Sequence, residues 1–178
     1  MIVLLVVESR PKIWTEYVKW LVKQKNILFW EEDKAPIWYM RRKLIERALE
    51  TDCSHVLFVD TDVVPPKDFI KKLLAHNKDI VSGAYHLFTG TPCSRKNGEF
   101  YQGEGLEEVD MCSIGASLIK REVLEKIEYP EPDDHTMDAD YEFCKKAKKQ
   151  GFKVYQDFDL NCLHIQIVPV VKGEYKKQ

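Results

Sequence analysis

The apolar positions in the first half of the chain form two alternating kinds of segment. Short runs without regular polar alternation predict buried strands at residues 1–7, 27–30, 56–59 and 79–84. Between these runs, apolar residues recur every three or four positions, which predicts amphipathic helices at residues 14–21, 36–49 and 69–74. The order β-α-β-α-β-α-β is typical of a doubly wound α/β sheet.

The second half of the chain is less regular. Residues 85–108 include four glycines and show no clear period, so they predict a lid, a binding loop or a small hairpin. A strand predicted at 109–119 is interrupted at Gly115, where a bulge, the close approach of a ligand or tight packing on a helix would suit a residue without a side chain. Helices are then predicted at 121–127 and after Asp138, and strands at 152–155 and 161–165. We expect one domain over residues 1–178, with a polar tail from 171.

Two carboxylates directly follow the apolar run at 56–59. Asp60 and Asp62 are spaced i, i+2, and Pro65-Pro66 prevents a central strand from continuing. The acids are therefore expected at the carboxyl end of a buried strand, where open α/β sheets bind ligands. A Mg²⁺ or Mn²⁺ ion that carries a phosphate would compensate their charge. The alternative is that they cap the next helix and keep the surface soluble.

A second acidic cluster occupies residues 133–140, and it includes Asp138 and Asp140. A helix is predicted to begin there, and acids in a first helical turn are favoured by the helix dipole. Their position alone therefore does not require a catalytic role.

Composition narrows the possible functions. The net charge of −2 over 178 residues gives no basic field for nucleic acid. The five cysteines have no Cys-x-x-Cys spacing. This favours a reduced, cytoplasmic setting and disfavours a structural zinc site. The apolar run at 1–7 is too short to span a bilayer and lacks the features of a signal peptide, so no transmembrane segment is expected.

Several segments, in this order, resemble the GT-A glycosyltransferases, the nucleotide-diphospho-sugar transferase fold, in particular family 2-like members. The segments are Val56-Leu57-Phe58-Val59-Asp60-Thr61-Asp62, Asp79 to Tyr85, Ser113 to Arg121, Asp138 to Cys144, and Gly151 to Tyr155 leading to His164. The resemblance runs over most of the chain. It implies a three-layer α/β/α sandwich with a mostly parallel central sheet, in which residues 1–84 bind the nucleotide and residues 85–170 bind the acceptor.

The resemblance also implies a metal-dependent transfer of a sugar from a nucleotide-diphosphate donor to an acceptor hydroxyl. Asp62 would bind Mn²⁺ or Mg²⁺, Asp60 would contact the ribose directly or through the metal, and His164 would lie near the metal and the diphosphate. Gly115 is a further candidate for contact with the donor. The donor would be a UDP- or GDP-sugar, and the acceptor a glycan, a protein or a lipid.

Three further positions are implied for nucleotide binding. Arg42 falls where family members carry an Arg-Asn pair, although Lys43 replaces the Asn here and Arg41 could take the role instead. Glu8 and Glu31 follow the first two strands, where the family contacts the base and the ribose.

The general base implied by the resemblance is Asp140, which would take the proton of the acceptor hydroxyl. The family Glu that precedes it is Ala139 here. Asp138 would substitute if the helix start were shifted.

Two other functions fit parts of the pattern. Asp60 and Asp62 also resemble the first motif of haloacid dehalogenase-like phosphohydrolases, as nucleophile and general acid, although two β-α units precede them here. A non-catalytic module that binds nucleotide sugar is the other alternative. A nucleotidyltransferase is disfavoured because residues 8–11 contain no glycine.

Overall fold

The computed structural model describes residues 2–7, 15–24, 27–32, 35–87, 89–132 and 138–165. The helices are α1 (Thr15–Leu21), α2 (Ile37–Leu49), α3 (Phe69–His76), α4 (Arg121–Lys126) and α5 (Ala139–Lys149). The longer strands are β1 (Ile2–Val7), β2 (Ile27–Glu32), β3 (His55–Val59), β5 (Ile80–Ala84), β9 (Ala116–Lys120) and β10 (Val154–Asn161). The shorter strands are β4 (Val63–Val64), β6 (Arg95–Lys96), β7 (Glu99–Phe100), β8 (Leu106–Glu108) and β11 (Leu163–His164).

The main sheet is mixed and has seven strands in the order β2-β1-β3-β9-β5-β10-β8. Three neighbouring pairs are parallel (β1–β2, β1–β3 and β5–β10) and three are antiparallel (β3–β9, β5–β9 and β8–β10). The chain is therefore a mixed α/β protein, and the expected mostly parallel pairing is not confirmed. Two of the antiparallel pairs involve β9, which follows a long irregular segment instead of a crossover helix and so enters between β3 and β5 from the opposite end. The third joins the edge strand β8 to β10.

Strand β3 is buried on both faces, as its unbroken apolar run predicts. Val56 and Phe58 join one hydrophobic cluster with residues of α2, α4 and α5, whereas Leu57 and Val59 join a second cluster with residues of α1 and α3. All four side chains are fully buried. Alternate residues of β3 thus pack against helices on opposite sides of the sheet.

The irregular segment after β5 forms a hairpin of β6 and β7. Asn97 and Gly98 turn it with positive φ angles of 56° and 84°, the conformation that favours an Asn-Gly pair. Beyond the main sheet, β4 pairs with β11, which fixes the chain after Asp62 against the last described strand. Among the described residues, no helix is long and apolar enough to cross a membrane.

Candidate active site

The site begins where β3 ends. The Asp60 amide donates to the Gly115 carbonyl at 2.9 Å, and the Val63 amide donates to the Asp60 carbonyl at 2.9 Å. The first bond ties the Asp60 turn to the segment before β9, and the second closes a tight turn that contains Asp62. Both carboxylates therefore lie at the carboxyl end of a buried strand, where the sequence predicted them.

Arg41 is the centre of the site. Its Nη2 donates to both carboxylate oxygens of Asp60, at 3.1 and 3.0 Å. Its Nη1 donates to the Tyr129 hydroxyl at 2.8 Å and also contacts Oδ1 of Asp140. The Tyr129 hydroxyl donates to the same oxygen of Asp140. One guanidinium group thus joins the end of β3 to the first turn of α5.

Burial and the two neighbouring carboxylates have opposite effects on the pKa of Arg41. Arg41 is only 3% exposed, and although burial disfavours its charge, Asp140 and Asp60 hold its pKa well above the ordinary value. Burial also raises the pKa of Asp60, as do the carboxylates of Asp140 and Asp62, while Arg41 lowers it. The Arg41 cation therefore compensates the charge of two nearby carboxylates that are partly buried.

Asp62 faces His164. Oδ2 of Asp62 lies 3.6 Å from Nε2 of His164. Nδ1 of His164 lies 2.9 Å from the His86 carbonyl, which can only accept, so Nδ1 carries the proton of that bond. The Ile165 amide donates to the Asp62 carbonyl at 2.7 Å. Backbone and side-chain bonds together hold the imidazole beside the carboxylate.

These two side chains fit as part of a divalent metal site. Two ligands of one ion, each roughly 2.1 Å from it, are about 3 Å apart, close to the observed 3.6 Å. Burial works to lower the pKa of His164, but the hydrogen bonds to Asp62 and the His86 carbonyl raise it above the ordinary value, and a metal ion would replace the proton at Nε2. Among the described residues, no group of three or more His, Cys, Asp or Glu side chains is arranged to hold a metal. An ion here would need further ligands from substrate phosphates and water.

Gly115 is required by close packing. A Cβ atom at this position would lie 2.8 Å from Cγ of Asp60 and 2.8 Å from the Tyr85 hydroxyl. Tyr85 is buried, and its ring meets the His164 ring edge-on at a centroid distance of 5.0 Å. The missing side chain therefore makes room for the Asp60 carboxylate and for the tyrosine behind His164. Contact of Gly115 with a donor stays a prediction.

Asp138 and Arg42 make hydrogen bonds to other groups. Asp138 caps α5, since its Oδ1 accepts from the Tyr141 amide at 3.1 Å, and burial raises its pKa. Arg42 donates to the Tyr129 carbonyl at 3.1 Å and pairs with Glu128 at 3.0 Å. Arg41, which the sequence left as the alternative, is the arginine that meets the carboxylates.

The described structure does not test two other sequence candidates. The backbone of Glu31 lies on β2, in register with Val6, and Glu8 lies outside the described residues, as do residues 133–137 of the acidic cluster. Tyr129 and Tyr85 were missed. Arg41 could have been selected from the helical period, because it shares the inward face of α2 with Leu44 and Ile45.

The fold of this chain is similar to the folds of two solved structures. The crystal structure of A197 from STIV aligns over 98% of this chain and 100% of its own, with a TM-score of 0.73 and 23% identity. The crystal structure of S. aureus TarS 1-349 aligns over 91% of this chain and 59% of its own, with a TM-score of 0.60 and 17% identity. At these identities the likeness concerns the fold alone. No family model and no curated protein matches the sequence.

Proposed function

We propose that the protein is a metal-dependent glycosyltransferase of the GT-A type, which moves a sugar from a nucleotide-diphosphate donor to an acceptor hydroxyl. One observation carries the proposal: Arg41 joins Asp60, at the end of β3, to Asp140, at the start of α5. These acids are 80 positions apart in the sequence, and each was selected as a candidate on separate grounds. Their meeting beside Asp62 and His164 supports one composite site.

On the donor side, Asp62 and His164 would hold Mn²⁺ or Mg²⁺ together with the donor diphosphate. When bound, such an ion stabilises the charge that develops on the departing nucleoside diphosphate. The protein contributes a fixed geometry, because the strand pair β4–β11 places His164 opposite Val63, the residue that follows Asp62. Asp60, whose carboxylate is held by Arg41, would orient the turn that contains Asp62 and would face the ribose of the donor.

On the acceptor side, Asp140 is the proposed general base. Arg41 and Tyr129 orient its carboxylate through Oδ1, which fixes the side chain for proton transfer. Asp138 is the second candidate, and its raised pKa suits a base that works nearer neutral pH. The variants Asp140→Asn and Asp138→Asn separate the two, since Asn still caps a helix well. The base is the residue whose substitution abolishes transfer while donor binding is retained.

The fold supports the same proposal. TarS, whose structure has a similar fold, is a glycosyltransferase. Helices pack on both sides of strand β3 here, and the three-layer α/β/α sandwich remains part of the proposal. The phosphohydrolase alternative fits less well, because a nucleophilic Asp60 needs an unobstructed oxygen and both of its oxygens accept hydrogen bonds from Arg41.

Calorimetric titration of UDP and GDP, with and without Mn²⁺, tests the donor site. We expect metal-dependent binding of one nucleotide, loss of that binding in Asp62→Asn, and wild-type binding in Asp52→Asn, a matched change at an exposed aspartate before β3. Absence of nucleotide binding with any divalent metal would overturn the proposal. Release of free nucleoside diphosphate from the matching sugar donor then distinguishes an enzyme from a module that only binds.

A further inference from the structure

A groove between α1 and α3 lies apart from the Arg41 cluster. It encloses about 850 Å³ and none of the carboxylates of the candidate site lines it. Trp20, Phe69 and Leu74 contribute to its apolar surface. Trp20 and Phe69 are buried, but Leu74 is 37% exposed, so the apolar surface opens to solvent on the α3 side.

The rim of this groove is positively charged. Among the described residues, four exposed lysines line it, namely Lys19, Lys23, Lys67 and Lys71. The acids among the lining residues that the structure describes are Glu16, which pairs with Lys19 at 2.7 Å, and Asp68. Because the whole chain carries a net charge of −2, this local excess of positive charge is not a consequence of a basic composition.

We propose that this face docks on a membrane surface that contains anionic phospholipids, with the lysines at the headgroup phosphates and an acyl chain in the apolar groove. Lysines around an apolar surface match the order of charge and hydrocarbon in a bilayer. The volume also lies in the range typical of small-ligand sites.

The lysine rim favours a lipid surface over a partner helix. The helical walls of the groove have seven and eight residues, which corresponds to about 10–12 Å, and exposed lysines surround this short length. Headgroup phosphates of an anionic bilayer would face all of these lysines at once. An acyl chain is narrow and needs no hydrogen-bond partners, so it can occupy the groove without leaving polar groups unsatisfied.

Docking would also orient the candidate site. Val64 lines the groove, and its neighbour Val63 pairs with His164 in the β4–β11 ladder. The edge that carries Asp62 would then lie next to the lipid surface. This inference does not depend on the proposed transferase activity.

Co-sedimentation with phosphatidylglycerol and phosphatidylcholine vesicles at low salt tests the proposal. We expect binding to the anionic vesicles alone, reduced about fivefold for each lysine removed, hence about 25-fold in Lys19→Gln/Lys71→Gln. The matched control is Lys146→Gln/Lys149→Gln, on exposed positions of α5, which packs against the other hydrophobic cluster. Absence of binding to anionic vesicles, or an equal loss in both double variants, would overturn the proposal.

A fluorescent label separates seating in the groove from general electrostatic attraction. Leu74→Cys carries an environment-sensitive probe at the groove, and Lys146→Cys carries it on α5. Four native cysteines are buried and the fifth, Cys93, has a pKa raised to about 12, so the introduced thiol should label selectively. A blue shift on anionic vesicles at position 74 and none at position 146 supports the proposal, whereas equal responses at the two positions refute it.

Discussion

Substitution of Arg41 by methionine gives the sharpest test of the candidate site as a folded unit. The guanidinium is 3% exposed, and the side chains of its partners Asp60 and Asp140 are 16% and 22% exposed. Removal of a buried partner leaves uncompensated carboxylates, which typically lowers the free energy of unfolding by about 3–5 kcal/mol. A domain of this size has about 5–15 kcal/mol in total, so Arg41→Met should remain folded but be strongly destabilised.

A double-mutant cycle shows whether the loss arises from charge. Asp140→Asn alone removes hydrogen bonds to charged groups and should destabilise by about 1.5–3 kcal/mol. In the Arg41→Met background the same change removes a repelling carboxylate, so it should be nearly neutral or stabilising. The coupling free energy is therefore expected to be at least about 1.5–3 kcal/mol.

Urea unfolding followed by circular dichroism measures the cycle, with the m-value as the check on two-state behaviour. Arg42→Met is the matched control, because Arg42 lies on the same helix but pairs with Glu128, whose side chain is 71% exposed. We expect it to cost less than about 1 kcal/mol and to show no coupling to Asp140→Asn. Equal losses for Arg41→Met and Arg42→Met, or additive effects of Arg41→Met and Asp140→Asn, would refute the central role of Arg41.

Three further predictions concern the surroundings of the site and the edge of the sheet. Gly115→Ala should destabilise by about 1–3 kcal/mol in urea unfolding, because the added methyl group overlaps the Asp60 carboxylate; wild-type stability would contradict the packing described. The hydrogen bond from Lys96 is the largest of several effects that lower the pKa of Glu107 to about 2 from its ordinary 4.5. Its stabilising effect is present above pH 4.5 and is lost as the pH falls toward 2, so Glu107→Gln should lower Tm at pH 7 and this difference should shrink over that window. Burial and nearby carboxylates raise the pKa of Cys93 to about 12, so mass spectrometry should show little alkylation of Cys93 by iodoacetamide at pH 8 until the protein is unfolded.

The elements of the fold that depend on local pattern were predictable. The unbroken apolar run predicted the doubly buried β3, and the period of three and four predicted α2, which the structure places at Ile37–Leu49. The position of β9 was not predictable in this way, because its insertion between β3 and β5 depends on the path of the long segment before it. Leu106–Glu108 was missed as a strand because this edge element is short and mostly polar.

The choice between Arg41 and Arg42 shows where sequence reasoning about the site stopped. Motif alignment selected Arg42, yet α2 turns 100° per residue, so adjacent arginines face different directions. The buried positions Met40, Leu44, Ile45 and Ala48 define the inward face of α2. Arg41 precedes Leu44 and Ile45 by three and four residues and so shares that face. A basic residue on an inward face needs buried acids, which the chain offers at the end of β3 and the start of α5. The period of α2 therefore pointed to the joining of these two segments, but only the folded structure identifies Asp60 and Asp140 as the partners.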